Sequence, residues 1–476
     1  MTAGLTTMKW VSRAAFGSLI LLALLALVNS AFNPRLAVQD SRQRFVAIGL
    51  PLLVLLGATG ALRMREPRRS NLALVVGSTV LTLYLFETLL AIETTLRPKG
   101  IEILGWDLRS GKEVLDDYRA AGRPAVPTLT PALFLEFGKP ELSTGPVLPM
   151  AGVPNQRTIH CNETGEWITY QSDRHGFNNP DPAWDAPSEV VMLLGDSFGA
   201  GICVNPEDSI AGRLRRMAYR IVNVSTAGSG PLIQLGTLRE YGAFLRPCVA
   251  VWLFYEGNDL GNLVSEGLDP ILSRYIEERT YSQQLAQRRS KLAGALLRYS
   301  LDLERDVVQA FREGTVVRTL KLARTRRITA AVLSRADDAW IVDVNSRELS
   351  ERIDDLRRIV VAADSEVAEW GGQLLFAYLP SFSRYSQSID RDPGEIVLEA
   401  IGREGIPTLD VREAFSQVED PRQLFSNNRR GGHYNPQGYG FAAEAISEAL
   451  RSVIRGGCPR PLELNSSTDF DIRSAH

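Results

Sequence analysis

The chain has 476 residues, and its 53 Lys and Arg against 55 Asp and Glu leave a formal net charge of −2. That length exceeds a usual single domain, and the near-balance of charge carries no nucleic-acid signature. Four cysteines, Cys161, Cys203, Cys248 and Cys458, show no Cys-x-x-Cys spacing, so no zinc site is expected.

Three apolar stretches open the chain, at about residues 14–32, 45–62 and 72–92, each near the ~20 residues a membrane helix needs. Lys9 and Arg13 precede the first, as in a signal peptide, but its long apolar core and the two further runs predict retained helices. The basic loop Arg63-Met64-Arg65-Glu66-Pro67-Arg68-Arg69 belongs in the cytoplasm by the positive-inside rule, which also puts the amino terminus inside. The first loop, with Arg35, Arg42 and Arg44, argues mildly the other way. Three spans then predict that everything beyond residue 93 lies in the periplasm or outside the cell. Glu87, inside the third stretch, is an intramembrane acid near the outer interface, for which a structural role is as good a reading as a functional one.

Residues 94–187 are rich in Pro and Gly and read as a lead-in packed on the core of the chain, with one candidate strand at Trp167–Ser172. The β-branched run Val190-Val191-Met192-Leu193-Leu194 then predicts a buried strand that stops at Gly195-Asp196-Ser197-Phe198-Gly199. Polar residues with helical character come next, so Ser197 falls in a strand-to-helix crossover. In an open parallel sheet that is where ligands bind, and the next helix start favours an alkoxide-like oxygen. The plain alternative for Ser197 is a helix N-cap. Ile221–Ser225 reads as a second strand leading into the loop Thr226-Ala227-Gly228-Ser229-Gly230-Pro231. Val249–Tyr255 reads as a third, ending in Glu256-Gly257-Asn258-Asp259.

An insertion at about 262–370 is helical in pattern, with Leu296, Leu303, Val307 and Phe311 on one face. Its basic span includes Arg288, Arg289, Lys291, Arg318, Lys321, Arg324, Arg326 and Arg327. A solvated helical face is the plainer reading of that span, and a patch for anionic lipid headgroups or an acidic polysaccharide the sharper one. Gln373–Pro380 and Ile406–Asp410 predict the fourth and fifth strands. Gly432-His433-Tyr434-Asn435-Pro436 precedes a last helical pattern, and residues 456–476 form a polar tail.

Taken in order, these blocks resemble the SGNH (GDSL-type) hydrolase family, in the manner of its membrane-anchored bacterial members, over roughly residues 188–455. The resemblance implies a flavodoxin-like α/β fold, a parallel sheet with helices on both faces. It makes Ser197 the nucleophile and His433 the base, with the N–H groups of Ser197 and Gly228 and the amide of Asn258 as the oxyanion hole. Gly228 falls five residues after Asn223, as the family pattern expects. The chain departs from the family twice. Glu256 stands where the third block usually has Gly, and Arg430 stands three residues before His433, where the family has Asp. Asp410, Asn427, Asn428 or a backbone carbonyl is then left to orient the imidazole.

Of the four histidines, His433 alone is flanked by turn residues and followed at once by a helix. Cys161 and Cys203 bracket the nucleophile block and could pair outside the cytoplasm, unpaired buried thiols being the alternative. The expected activity is that of a membrane-anchored serine esterase acting on acyl, O-acetyl in the first instance, esters of cell-envelope polysaccharide or lipid. An O-acyltransferase acting on an exported polysaccharide and a catalytically degenerate binding or scaffold protein are the alternatives. The expected partners are the bilayer and an acylated glycan or lipid, with no metal or organic cofactor.

Overall fold

The computed structural model describes residues 2–31, 41–96, 102–103, 106–107, 109, 111–143, 145–185, 190–312, 322, 346–386, 392–426 and 432–454. The chain divides into two compact units, residues 1–97 with 311–332, and residues 98–310 with 333–476.

The first unit holds three helices, α1 Thr2–Ala31, α2 Ser41–Leu62 and α3 Arg68–Leu96. Among the described residues, two of them carry a stretch long and apolar enough to cross a membrane: Trp10–Val28, with mean hydropathy 2.2, and Arg68–Leu89, with mean hydropathy 1.8. This corrects the expected count of three spans. Among the described residues, α2 contributes the shorter apolar run Pro51–Leu62. Phe16 of α1 packs with Ala58 and Ala61 of α2, small residues that let two backbones approach. Leu21, Leu22, Leu25, Leu74, Leu81, Leu85 and Leu89 face outward. Glu87 is fully buried.

The second unit is built on a five-stranded sheet. Its strands are β4 Val191–Gly195, β5 Ile221–Asn223, β6 Val249–Tyr255, β7 Gln373–Leu379 and β8 Thr408–Asp410, after the three strands of the largest lead-in sheet, β1 Ala125–Pro127, β2 Arg157–Cys161 and β3 Ile168–Gln171. The sheet order is β8-β7-β6-β4-β5, and every pairing is parallel. All five strands fall where the sequence predicts, and in β4, β6 and β7 the residues are apolar on both faces, which suits a sheet covered on both sides. Alternation divides them. Met192, Leu194, Trp252, Phe254 and Phe376 face one core, and Val191, Leu193, Val251, Leu253 and Leu375 face the other. The second core is closed by α5 Ile210–Arg216, which comes after the short α4 Ser197–Ala200, and by the last helix of the unit, Pro436–Val453.

The first core is closed by α6 Pro231–Thr237, α7 Asp259–Glu266, α8 Arg289–Arg312 and α9 Ser346–Glu369. Ile353, Leu356, Val360, Ala363 and Val367 of α9 lie in it. The carboxyl part of the stretch read as an insertion is therefore the crossover helix that joins β6 to β7. The last helices are α10 Pro393–Gly402, α11 Arg412–Phe415 and α12 Pro436–Val453. The three lead-in strands form a sheet of their own with β2 in the centre, parallel to β1 and antiparallel to β3. Val126, Leu129, Phe134, Met150, Phe177 and Trp184 of the lead-in share the first core. Of the basic residues singled out in the insertion, Arg318, Lys321, Arg324, Arg326 and Arg327 lie outside the described residues, as does the tail 456–476.

Candidate active site

Strands β4 and β6 are neighbours while β5 lies on the far side of β4, so chain order reverses between β4 and β6. The crevice beyond the carboxyl ends of strands at such a reversal is the usual ligand position of open α/β sheets. Ser197 follows β4 there, the Gly228 loop follows β5, and Asn258 follows β6.

Ser197 is the first residue of α4 and is buried. The cap of that helix is Asp196, whose Oδ1 accepts from the Phe198 N–H at 2.8 Å. The capping role that the sequence allowed for Ser197 thus falls one residue earlier, and the serine hydroxyl is left to donate to Asp196 Oδ2 at 3.3 Å. At the first helical position the Ser197 N–H has no carbonyl one turn back. Gly199 completes the turn, and a Cβ there would lie 2.4 Å from Ser225 Oγ.

Gly228 has φ +72°, a conformation that favours glycine, and a Cβ on it would come within 2.9 Å of the Ala132 Cβ. Its loop is tied to the Ser197 turn by the Thr226 N–H, which donates to Gly195 O at 3.2 Å. Asn258 caps α7 by position, and its Oδ1 is buried without a partner. Asp259 Oδ2 accepts from the Tyr255 N–H at 3.1 Å and holds this turn.

His433 enters from the start of α12. The Phe198 ring lies 4.9 Å from the imidazole, and Phe198 is itself stacked on Tyr255 at 3.8 Å. Tyr434 anchors the loop by donating to Pro380 O at 2.6 Å. Ser197, Asn258 and His433 converge around Asp196. Burial pushes that carboxyl up to about 6, while the Phe198 N–H, the His433 charge, the Ser197 hydroxyl and the Asn258 side chain pull it down. Gly228 reaches the same edge through its loop.

The group that orients His433 is one that sequence reasoning missed. Glu163 Oε1 and Oε2 both lie 3.1 Å from His433 Nδ1, and Oε2 also accepts from the His433 N–H at 3.0 Å and from Ser426 Oγ at 2.8 Å. Burial raises the Glu163 carboxyl, but the His433 and Ser426 hydrogen bonds and the His433 charge outweigh it and hold the group at about 2. Asp410 does not take this part. It ends β8 at the sheet edge away from β4, and its two oxygens are held by Arg412 at 2.8 and 2.6 Å. Asn427 and Asn428 lie outside the described residues. His160 is half-buried and His175 buried, and desolvation lowers both to about 4, which keeps them neutral.

Glu163 lies two residues beyond Cys161, and Cys161 is disulfide-bonded to Cys203 across a Cα separation of 5.3 Å. Cys203 Sγ is 3.8 Å from His433 Nδ1. Glu163, Cys203 and His433 bring potential metal-ligating atoms within 4.8 Å of one another, but the sulfur is committed to the disulfide. The signal for Glu163 was present in the sequence. Pairing Cys161 with Cys203 carries the next residues to the Ser197 turn.

No family model and no curated protein sequence matches the chain. Among solved structures it resembles a lipase/acylhydrolase from Enterococcus faecalis, with 12% identity over 56% of this chain and 100% of that one, at a TM-score of 0.31. It also resembles a GDSL-like lipase from Bacteroides thetaiotaomicron, with 10% identity over 56% of this chain and 89% of that one, TM-score 0.30. A third is a psychrotrophic esterase from Pseudoalteromonas, with 8% identity over 56% of this chain and 98% of that one, TM-score 0.28. At such identities and scores, the functional reading rests on the site's own geometry.

Proposed function

We propose that this chain is a membrane-anchored serine esterase of the SGNH type. The observation that carries the reading is the imidazole of His433, held at Nδ1 by Glu163 and by its ring against Phe198, the residue after Ser197. A carboxylate on Nδ1 fixes the tautomer that leaves Nε2 as the proton acceptor and steadies the imidazolium once it forms. Ser197 Oγ turns from Asp196 and attacks the acyl carbon as Nε2 takes its proton. The oxyanion is received by the N–H groups of Ser197 and Gly228 and the Asn258 amide. The tetrahedral intermediate collapses, and His433 returns the proton to the leaving alkoxide. Water, deprotonated by His433, then releases the carboxylic acid and frees Ser197.

The outward-facing leucines of α1 and α3 support anchoring, since in water they would form a large exposed apolar surface. The Cys161–Cys203 disulfide, with Cys248 disulfide-bonded as well, supports an oxidising compartment for the second unit. Together they favour acyl esters of cell-envelope glycans or lipids as substrates, with O-acetyl groups first.

Fluorophosphonate labelling of the detergent-solubilised full chain, with mass-spectrometric site mapping and a Ser197→Ala control, tests this reading. Labelling confined to Ser197 is expected. A folded chain that takes no label would refute the esterase and favour the binding-module alternative.

A further inference from the structure

In this site the carboxylate on the base comes from outside the sheet. Glu163 sits in the turn between β2 and β3, in the lead-in, about 270 residues before the histidine that it orients. A glutamate on a surface turn has several rotatable bonds and no reason of its own to stay at one imidazole nitrogen. Thr164 and Glu166 of the same turn are exposed. Asn162 Nδ2, donating to Asp107 O at 2.6 Å, and the Asp107 N–H, donating to Gly165 O at 2.7 Å, tie the turn to the lead-in, and three further features set it against the Ser197 turn. The β2–β3 register shifts between Ile159 and Cys161, an irregularity of the kind that re-aims a strand end. Cys161 is bonded to Cys203, which is fully buried and has φ +67°, a backbone conformation that side-chain-bearing residues rarely adopt. The half-buried Cys161 packs with Ala200, Ile202, Cys203 and Ala227, beside both the nucleophile helix and the Gly228 loop. The other link between the turn and this segment is weaker, Thr164 Oγ1 donating to Cys203 O at 3.3 Å.

We infer that the Cys161–Cys203 disulfide is the clamp that seats Glu163 on His433, so that the site is complete only in the oxidised chain. Glu163 is the positioning residue, and the disulfide acts through it. The inference rests on the Ser197–His433 reading for its consequence: a chain still in the reducing cytoplasm holds an unoriented base, and the activity arrives with export. Reduction by a dithiol passes two electrons and two protons to the disulfide, giving the Cys161 and Cys203 thiols while the dithiol closes to its own disulfide.

The test is a mutant cycle on the full chain in detergent, with wild type, Glu163→Gln, Cys161→Ser/Cys203→Ser, and the combination of all three. Turnover of p-nitrophenyl acetate is read together with the low-field proton resonance of a carboxylate-bound imidazole N–H. Glu163→Gln is expected to lower kcat roughly 10²- to 10⁴-fold, as loss of an orienting acid does. The double serine variant should fall comparably, and adding Glu163→Gln to it should cost no more than about twofold, because groups acting as one unit are not additive. The low-field resonance should disappear in all three variants. A double serine variant with wild-type kcat, or one that retains the resonance, would overturn the inference, as would a full further loss on adding Glu163→Gln. If the serine variant does not fold, dithiothreitol-treated wild type that stays folded must lose kcat and the resonance and regain both on reoxidation; unchanged values would overturn the clamp. Failure of the esterase reading is distinct. It appears as wild type without turnover or label, and the resonance alone then decides the clamp.

Discussion

Glu256 occupies the position where the family pattern has glycine, and its replacement by glutamine gives a sharp stability prediction. The side chain is fully buried at the end of β6 and accepts from Tyr378 Oη at 2.7 Å, the Ser381 N–H at 2.7 Å and Arg384 Nε at 2.8 Å, with Arg384 Nη2 on the second oxygen. Arg384 also holds Asp392 through Nη1 and Nη2, both at 2.8 Å, and Arg412 joins from the other side at 2.6 Å. In Glu256→Gln the shape and one acceptor survive, the tyrosine hydroxyl can turn to accept, but an amide N–H₂ now faces the guanidinium. Removing one partner of a buried ion pair costs about 3–5 kcal/mol. Arg384 keeps Asp392, so the lower end, about 3 kcal/mol, is expected. At roughly 2 °C per kcal/mol for a large domain, Tm falls by about 6 °C. Asp392→Asn, whose partner retains Glu256 and whose side chain is one-third exposed, should cost about 1 kcal/mol. Thermal unfolding of the solubilised full chain followed by circular dichroism reads both. A Glu256→Gln variant within about 1 °C of wild type would show that the buried charge is not what joins the ends of β6 and β7.

Gly228→Ala forces a side chain onto φ +72° and against Ala132, so it should cost about 1–3 kcal/mol and slow fluorophosphonate labelling of Ser197 roughly ten- to hundredfold; a wild-type labelling rate would remove the Gly228 N–H from the oxyanion hole. Asp196 has its folded-state value raised to about 6 from the ordinary 3.8, chiefly by burial, so its contribution favours folding below about 4 and is lost as pH rises through about 6. Asp196→Asn should therefore lose less stability than wild type between about pH 4 and 6 in chemical denaturation, and parallel curves for the two would contradict that assignment. The full chain should stay in the membrane pellet through alkaline carbonate washing, because α1 and α3 turn their leucines outward; release into the supernatant would argue against anchoring.

The main strands are legible in the residue pattern alone, since Val191–Gly195, Val249–Tyr255 and Gln373–Leu379 are apolar on both faces and a sheet covered on both sides accommodates them. That pattern also determined where the chain turns at Gly195-Asp196-Ser197 and that a histidine stands before the last helix, because strand ends and helix starts are local. The number of membrane spans was less legible from composition: among the described residues, α1 and α3 are the helices that carry a run of membrane-crossing length. Tertiary structure decided which acid meets His433. Spacing pointed to neighbours in sequence or to the end of β8, but the sheet order carries Asp410 to the far edge, where Arg412 holds it. Glu163 arrives instead from a separate strand pair. No local pattern encodes that meeting, because it depends on one covalent bond between Cys161 and Cys203 and on the fold that brings the two sulfurs together.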